Sequence, residues 1–169
     1  VDFNYEVSRS LAACEGAVLV VDSTQGVEAQ TVSNASLAMN ANLDIVPAIN
    51  KIDLPSAHPD EVKEEIEEDL AIPADDAVCV SGKTGEGIHD LLESIVFLIS
   101  PPTGNYDAPL QALILDSYFD EYRGVVATVR VFDGHISKGD DLLMMQGGER
   151  FLVDGVGVKR PAEVLVDEL

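Results

Sequence analysis

The sequence predicts an α/β fold with a parallel sheet, followed by an all-β region. Up to residue 100, apolar runs typical of buried strands alternate with segments of helical periodicity, a pattern that favours a doubly wound parallel sheet. After Pro101-Pro102-Thr103-Gly104 the helical periodicity stops, and short strands separated by tight turns follow. We therefore expect one domain over 1–100, a linker over 101–109 and a second domain over 110–169.

The first domain is predicted to alternate helices and strands along its whole length. Strand 17–22 is a continuous apolar run, so we expect both of its faces to be buried. Asp22 at its end is interpreted as a turn cap. In chain order the elements are helix 3–15, strand 17–22, helix 27–41, strand 44–49, helix 59–70, strand 77–80 and helix 87–99. The apolar residues expected to face inward are Phe3, Val7, Leu11 and Cys14 in the first helix and Val32, Leu37 and Met39 in the second.

Helix 59–70 is strongly acidic and begins at Pro59, a residue suited to the first turn of a helix. Val62, Ile66 and Leu70 recur at helical spacing and predict its buried stripe. The remaining carboxylates are interpreted as a solvated face. They are Glu61, Glu64, Glu65, Glu67, Glu68 and Asp69.

The second domain is predicted to be a partial β-barrel. Its strands are expected at 110–117, 125–132, 141–145 and 150–153, joined by glycine-containing turns. About 60 residues is short for a closed barrel with a core of its own. We therefore expect the natural chain to continue past Leu169.

Composition excludes several classes of function. The chain has 31 acidic and 10 basic residues and a formal net charge of -21, so general affinity for nucleic acid is not expected. An acidic surface for a salt-rich cytoplasm and a single acidic helix with scattered carboxylates both remain open explanations. Neither an apolar run long enough to span a membrane nor a signal peptide is recognisable. Cys14 and Cys79 are interpreted as small core residues, and the histidines lack metal-ligand spacing, so no metal site is predicted.

Asn50-Lys51-Ile52-Asp53 directly follows strand 44–49 and has the pattern of a loop that reads guanine. The Asp53 carboxylate can accept hydrogen bonds from the ring N–H and the exocyclic amino group of guanine, a pair of donors that adenine lacks. The Asn50 amide can face the Hoogsteen edge, and the aliphatic stem of Lys51 can lie over the base plane. Such charged contacts contribute about 1.5–3 kcal/mol per bond. A base without the donors is disfavoured because the carboxylate is then left unpaired.

A second loop supports this interpretation over the alternative, in which Asp53 only caps the segment that follows it. Ser81-Gly82-Lys83 follows strand 77–80 and is similar to the Ser-Ala-Lys loop that closes over the other face of guanine. We expect the Gly82 N–H to donate to the base oxygen and Ser81 to brace the loop. Both loops would lie at the carboxyl ends of strands, where ligands bind in open α/β sheets.

Longer stretches resemble the LepA (elongation factor 4) family of translational GTPases. The resemblance is carried by Val1–Gly16, by Gln25–Thr31, by the guanine loop and by Asp116–Asp120 running on to Val125. Gly82 stands where the family usually has Ala, and Tyr118 stands where a Trp is common. Both departures are mild, because a backbone N–H and a flat ring are retained.

The resemblance implies the C-terminal part of a P-loop GTPase (G) domain followed by the start of a translation-factor β-barrel. It also implies a GTP hydrolase that acts on the ribosome, through rRNA and ribosomal proteins, in back-translocation or remobilisation of stalled complexes. GTP or GDP and Mg²⁺ are the implied cofactors. The implied location is the cytoplasm, with peripheral association at the cytoplasmic face of the cell membrane.

The sequence contains no Gly-x-x-x-x-Gly-Lys-Ser/Thr loop. By the resemblance, the phosphate cradle, the Mg²⁺ ligands and the catalytic groups should precede Val1, so no catalytic residue is assigned within the chain. Because GTP hydrolysis depends on groups around the phosphates, we expect this chain alone to be inactive and to bind guanine nucleotides weakly. Two alternatives remain: a nucleotide-dead interaction module, and another translational GTPase such as an elongation factor G-type or ribosome-protection factor.

Overall fold

The chain divides into two units, Val1–Pro101 and Pro102–Leu169. The computed structural model describes residues 4–169. The first unit mixes helices with a parallel sheet, and the second is built from antiparallel hairpins. The change of architecture falls where the helical periodicity of the sequence stops.

The first unit contains a three-stranded parallel sheet in the order β1-β2-β3. This arrangement confirms the predicted parallel sheet. Its elements are α1 Asn4–Leu11, β1 Gly16–Asp22, α2 Ala29–Asn40, β2 Asp44–Asn50, α3 Pro59–Leu70, β3 Val78–Cys79 and α4 Ile88–Leu98. β2 is the central strand, and four consecutive residues in it are buried, from Val46 to Ile49, so both of its faces are covered.

The core of this unit lies where α2 and α3 pack against the sheet. Helix α3 has the predicted bounds, and Val62, Ile66 and Leu70 are all buried, so its predicted stripe is confirmed. These side chains join one apolar cluster with Val21 of β1 and Ile49 of β2. Burying that stripe is the main contribution of α3 to stability, because a short helix gains little from propensity alone.

Hydrogen bonds continue the pairing of β2 and β3 beyond the regular strands. The Val80 N–H donates to the Ile49 carbonyl at 2.8 Å, and the Ile52 N–H donates to the Val80 carbonyl at 3.3 Å. The chain segments that leave the two strands therefore stay side by side. This places the loop starting at Asn50 next to the loop starting at Ser81.

Several predictions about the first two helices and β1 were wrong. Helix α1 ends at Leu11 rather than at residue 15, and Cys14 is exposed instead of lying in the core. Phe3, expected on the inner face of this helix, lies outside the described residues. Val20 of β1 is 57% exposed, so the prediction that both faces of this strand are buried is wrong at this residue.

Helix α2 fully buries two small side chains, whereas of the three large ones predicted to face inward Leu37 is half-buried and the other two are exposed. Ala35 and Ala38 are buried, whereas Val32 and Met39 are exposed. The two alanines lie three positions apart and thus on one face of the helix. Small side chains there allow α2 to approach the sheet closely, a choice that hydrophobicity alone does not indicate.

Two of the carboxylates on α3 do more than face solvent. Glu65 Oε2 accepts a hydrogen bond from the Val27 N–H at 2.8 Å, and a Cβ at Gly26 would collide with the same carboxylate. Glu67 Oε1 accepts from the N–H groups of Ala74 and Asp75 at 2.9 and 3.1 Å. The interpretation of the acidic face as merely solvated is therefore wrong at these two positions, where the carboxylates hold loops.

The second unit consists of three antiparallel hairpins. Each hairpin forms a two-stranded sheet of its own among the described residues, so the barrel remains a prediction. The four predicted strands are present, but the third hairpin was missed, although alternating valines at 156, 158, 164 and 166 signal it. The strands are β4 Gln111–Asp120, β5 Gly124–Asp133, β6 Asp141–Leu143, β7 Arg150–Leu152, β8 Val156–Arg160 and β9 Ala162–Val166.

A polar cluster joins the first and third hairpins of this unit. The Arg123 guanidinium forms an ion pair with Glu163 at 2.6 Å and also hydrogen bonds to the Tyr118 hydroxyl at 3.3 Å. The Tyr118 hydroxyl donates to Glu163 at 3.0 Å. The hydrogen bonds that Glu163 accepts from Arg123 and Tyr118 lower its pKa and thus favour the charged carboxylate.

The predicted linker 101–109 includes residues that are tied to the second unit. The Asn105 N–H donates to Asp133 Oδ1 at 2.8 Å, and the Tyr106 ring stacks on His135 with 4.8 Å between the ring centroids. The Tyr106 hydroxyl also donates to Glu168.

Among the helices of the described residues, none combines the length and the apolar character needed to cross a membrane.

Substituting Ile66→Ala should lower the free energy of unfolding by about 2–5 kcal/mol, because a fully buried side chain is replaced by a cavity. The control Glu68→Ala, on the exposed side of the same helix, should change it by no more than about 0.5 kcal/mol. Urea denaturation followed by circular dichroism measures both. Equal effects of the two substitutions would contradict the packing described for α3.

Candidate nucleotide-binding site

The two predicted guanine loops meet at the carboxyl ends of β2 and β3. Asn50 is the last residue of β2, and Ser81 comes two residues after the end of β3. The two loops contact each other directly: the side chains of Ser81 and Asp53 are hydrogen bonded, and the backbone N–H of Gly82 donates to the side chain of Asn50. The structure therefore brings the six predicted residues together, although their contact with a nucleotide remains a prediction.

Asp53 is held as an ionised acceptor. The Ser81 hydroxyl donates to Asp53 Oδ1 at 2.7 Å, and the Lys83 ammonium lies 3.6 Å from Oδ2. The hydrogen bond from Ser81 lowers the pKa of Asp53, and the positive charge of Lys83 lowers it further. The Asp53 side chain is 13% exposed, so it is nearly enclosed but still reachable. A carboxylate in this state can only accept hydrogen bonds, as a partner with two adjacent N–H donors requires.

Asn50 is fixed through both its backbone and its side chain. Its carbonyl accepts from the Ser23 N–H at 2.8 Å, and its Oδ1 accepts from the Gly82 N–H at 3.0 Å. With Oδ1 engaged, the Nδ2 amino group is the donor that Asn50 can offer to an acceptor on a base. The Gly82 N–H, which we expected to donate to the base oxygen, is directed at Asn50 in this structure.

The Ser81 loop is closed by its own hydrogen bonds. The Ser81 N–H donates to the Glu86 carbonyl at 2.9 Å, and the Ser81 carbonyl accepts from the Gly85 N–H at 2.8 Å. The buried Ser81 hydroxyl also accepts from the Thr84 N–H at 3.1 Å. Gly87 has a φ of 70°, and a Cβ there would collide with the Cys79 carbonyl, so glycine is required.

Lys51 adopts an unusual backbone conformation and forms an ion pair with Asp22. Its φ is 69°, in the left-handed region that is uncommon for residues with a Cβ. Its ammonium lies 2.6 Å from Asp22 Oδ2. Asp22 also caps a turn, as expected, because Oδ1 accepts from the N–H and the hydroxyl of Thr24, each at 2.8 Å.

Sequence reasoning missed this ion pair. The sequence carries no local signal for it, because only the parallel register of the folded sheet places Asp22 beside Asn50 at the ends of neighbouring strands. A charged residue that follows the end of β2 by one position therefore comes close to Asp22. The hydrogen bond from Lys51, followed by those from Thr24, lowers the pKa of Asp22 to about 2, so its carboxylate is charged at neutral pH.

The arrangement offers the chemistry needed to read a purine that presents a ring N–H and an adjacent exocyclic amino group along one edge. It combines a braced carboxylate, a fixed side-chain amide and two lysine stems next to the loops. In the described part of the chain, no three His, Cys, Asp or Glu side chains are placed to hold a metal ion.

Comparison with known proteins gives a consistent result. Residues 1–101 match the family described as the elongation factor Tu GTP binding domain. Over all 169 residues the chain is 58% identical to elongation factor 4 of Lacticaseibacillus casei, 55% to that of Solibacter usitatus and 59% to that of Lactobacillus acidophilus. The chain spans 28% of the length of each of these relatives.

Substituting Ser81→Ala should raise the pKa of Asp53 toward that of an ordinary carboxyl group, because the main hydrogen bond that stabilises the charged form is lost. Thr84→Ala is the matched control, since the Thr84 hydroxyl lies in the same loop but accepts from the Glu86 N–H instead. An NMR titration of the labelled Asp53 carboxyl carbon measures both. An unchanged pKa in Ser81→Ala would show that Ser81 does not brace this carboxylate.

Proposed function

Since its residues 1–101 match that family, the chain belongs to the elongation factor Tu GTP-binding domain family, and we propose that it supplies the guanine-reading half of a translational GTPase. The observation that carries this proposal is the Asp53 carboxylate, ionised and held by Ser81 beside a fixed Asn50. The earlier resemblance to the elongation factor 4 family is confirmed by relatives that are 54–59% identical over the whole chain.

Guanine is selected by the carboxylate in this proposal. The two oxygens of Asp53 accept the ring N–H and the exocyclic amino group of the base, while Asn50 donates from its amino group to the Hoogsteen edge. Ser81 keeps the carboxylate in place, so little ordering is needed on binding. Adenine is rejected because it offers this nearly enclosed carboxylate neither the ring N–H nor the amino group that guanine donates.

The lysines and the second loop complete the base pocket. The stem of Lys51 lies over one face of the base, and the loop of Ser81, Gly82 and Lys83 closes over the other. When nucleotide binds, the Gly82 N–H must either donate to Asn50 Oδ1 and the base oxygen together or change its acceptor from Asn50 Oδ1 to the base oxygen. Both GTP and GDP carry the guanine that these residues read.

Hydrolysis requires groups around the phosphates, and this chain contributes the base-reading groups. Mg²⁺ supplies charge neutralisation at the phosphates when it is bound with GTP. The residues described here would fix the nucleoside end, so that the phosphates reach the same place in each binding event. Positioning of this kind is a large part of catalysis in phosphoryl transfer.

The ribosome is the proposed site of action of the whole protein. Support comes from relatives named elongation factor 4, which favour this assignment over an elongation factor G-type or ribosome-protection factor. Coupling of GTP hydrolysis to back-translocation or remobilisation is part of the proposal. A location in the cytoplasm, with peripheral attachment to the membrane, is supported by the family resemblance alone.

Substituting Asp53→Asn in the complete gene product should weaken GDP binding by about tenfold or more and improve binding of xanthosine diphosphate, because one acceptor oxygen becomes a donor. Competition with a fluorescent GDP analogue measures both affinities. Asp69→Asn, on the exposed face of α3, is the control and should change neither. Guanine preference that survives Asp53→Asn would remove Asp53 from the site.

The 169-residue chain by itself is predicted not to turn over GTP, because it lacks a phosphate-binding loop motif. The measurement is magnesium-dependent phosphate release from GTP by the purified chain, with the complete gene product as the positive control. Release by the chain at a rate near that of the control would refute this prediction.

A further inference from the structure

The ion pair between Asp22 and Lys51 links the end of β1 to the guanine loop. The two charged groups are 2.6 Å apart, and Lys51 is held with a φ of 69°. A left-handed conformation at a lysine persists only where surrounding contacts maintain it. The ion pair is one such contact, because it joins the ammonium to a neighbouring strand.

Asp22 is itself firmly positioned. One oxygen accepts two hydrogen bonds from Thr24, and the other is left for Lys51. The Asp22 side chain is 16% exposed, whereas that of Lys51 is 53% exposed. The carboxylate is thus enclosed while the lysine stem stays accessible to a ligand.

We propose that Asp22 is a positioning residue for guanine nucleotide binding, which acts by holding the ammonium of Lys51 so that the aliphatic stem is ready to lie over the base. This inference rests on the proposed function. A free lysine side chain has many rotamers and loses them on binding. A lysine already tethered at its end loses fewer, so the nucleotide binds more tightly.

The division of roles within Asp22 allows a sharp test. Asp22→Asn retains an oxygen that can accept from Thr24 but removes the charge that holds Lys51. Lys51→Met retains an apolar stem of similar length but removes the ammonium. The double variant then shows whether Asp22 acts through Lys51.

The dissociation constant for GDP is measured in the complete gene product by displacement of a fluorescent GDP analogue. Asp22→Asn should weaken binding by about threefold to tenfold, the range expected for loss of one partly enclosed ion pair. Asp22→Glu, which restores a carboxylate, should recover part of the loss. In the Lys51→Met background, Asp22→Asn should have no further effect.

Asp120→Asn is the matched control in the second unit. Like Asp22, Asp120 accepts two hydrogen bonds at one oxygen, here from the N–H groups of Tyr122 and Arg123, and pairs with a cation, the Arg123 guanidinium, but it belongs to the β4–β5 hairpin. This variant should leave GDP affinity unchanged. A similar loss in Asp120→Asn would mean that removing any such ion pair disturbs the protein, which overturns the inference.

Other outcomes separate this inference from the function on which it rests. Binding by Asp22→Asn that equals or exceeds the wild type would overturn the inference while leaving guanine recognition intact. An equal loss from Asp22→Asn with and without Lys51→Met would also overturn it, because Asp22 would then act independently of Lys51. Failure of the wild type to prefer GDP over ADP would refute the proposed function itself.

Discussion

The parallel pairing of β2 with both of its neighbours is the constraint on which the candidate site depends. Because the strands run in the same direction and in register, Asp22, Asn50 and Ser81 all lie at the carboxyl end of the sheet. The backbone bonds that extend the pairing to Val80 and Ile52 keep the loops together after the strands end. Side-chain contacts between the loops are a consequence of this backbone arrangement.

At the carboxyl end of the sheet, negative charges are paired with positive ones, unlike in the chain as a whole. The chain carries a formal charge of -21, yet two of its 10 basic residues, Lys51 and Lys83, form ion pairs there with Asp22 and Asp53. Each carboxylate there also accepts a hydroxyl hydrogen bond, from Thr24 or from Ser81. The negative charges of the candidate site are thus balanced by lysines, and the excess of carboxylates lies in other parts of the chain.

Carboxylates also organise parts of the fold that are far from the candidate site. Glu65 and Glu67 of α3 hold the loops that precede α2 and follow α3, and Glu163 joins two hairpins through Arg123 and Tyr118. In each case an acidic side chain satisfies N–H or O–H donors that would otherwise compete for water. A high acidic content is therefore partly structural in this protein.

The sequence by itself determined the elements and residues whose signals are local. The bounds and buried stripe of α3, the parallel sheet and the two loops after β2 and β3 all followed from periodicity and short motifs. Only the tertiary structure decided that Val20 of β1 is exposed, that Ala35 and Ala38 pack inside, and that Asp22 reaches Lys51. The reason is physical: periodicity reports backbone preferences over a few residues, whereas burial and ion pairing depend on neighbours that are distant in the chain.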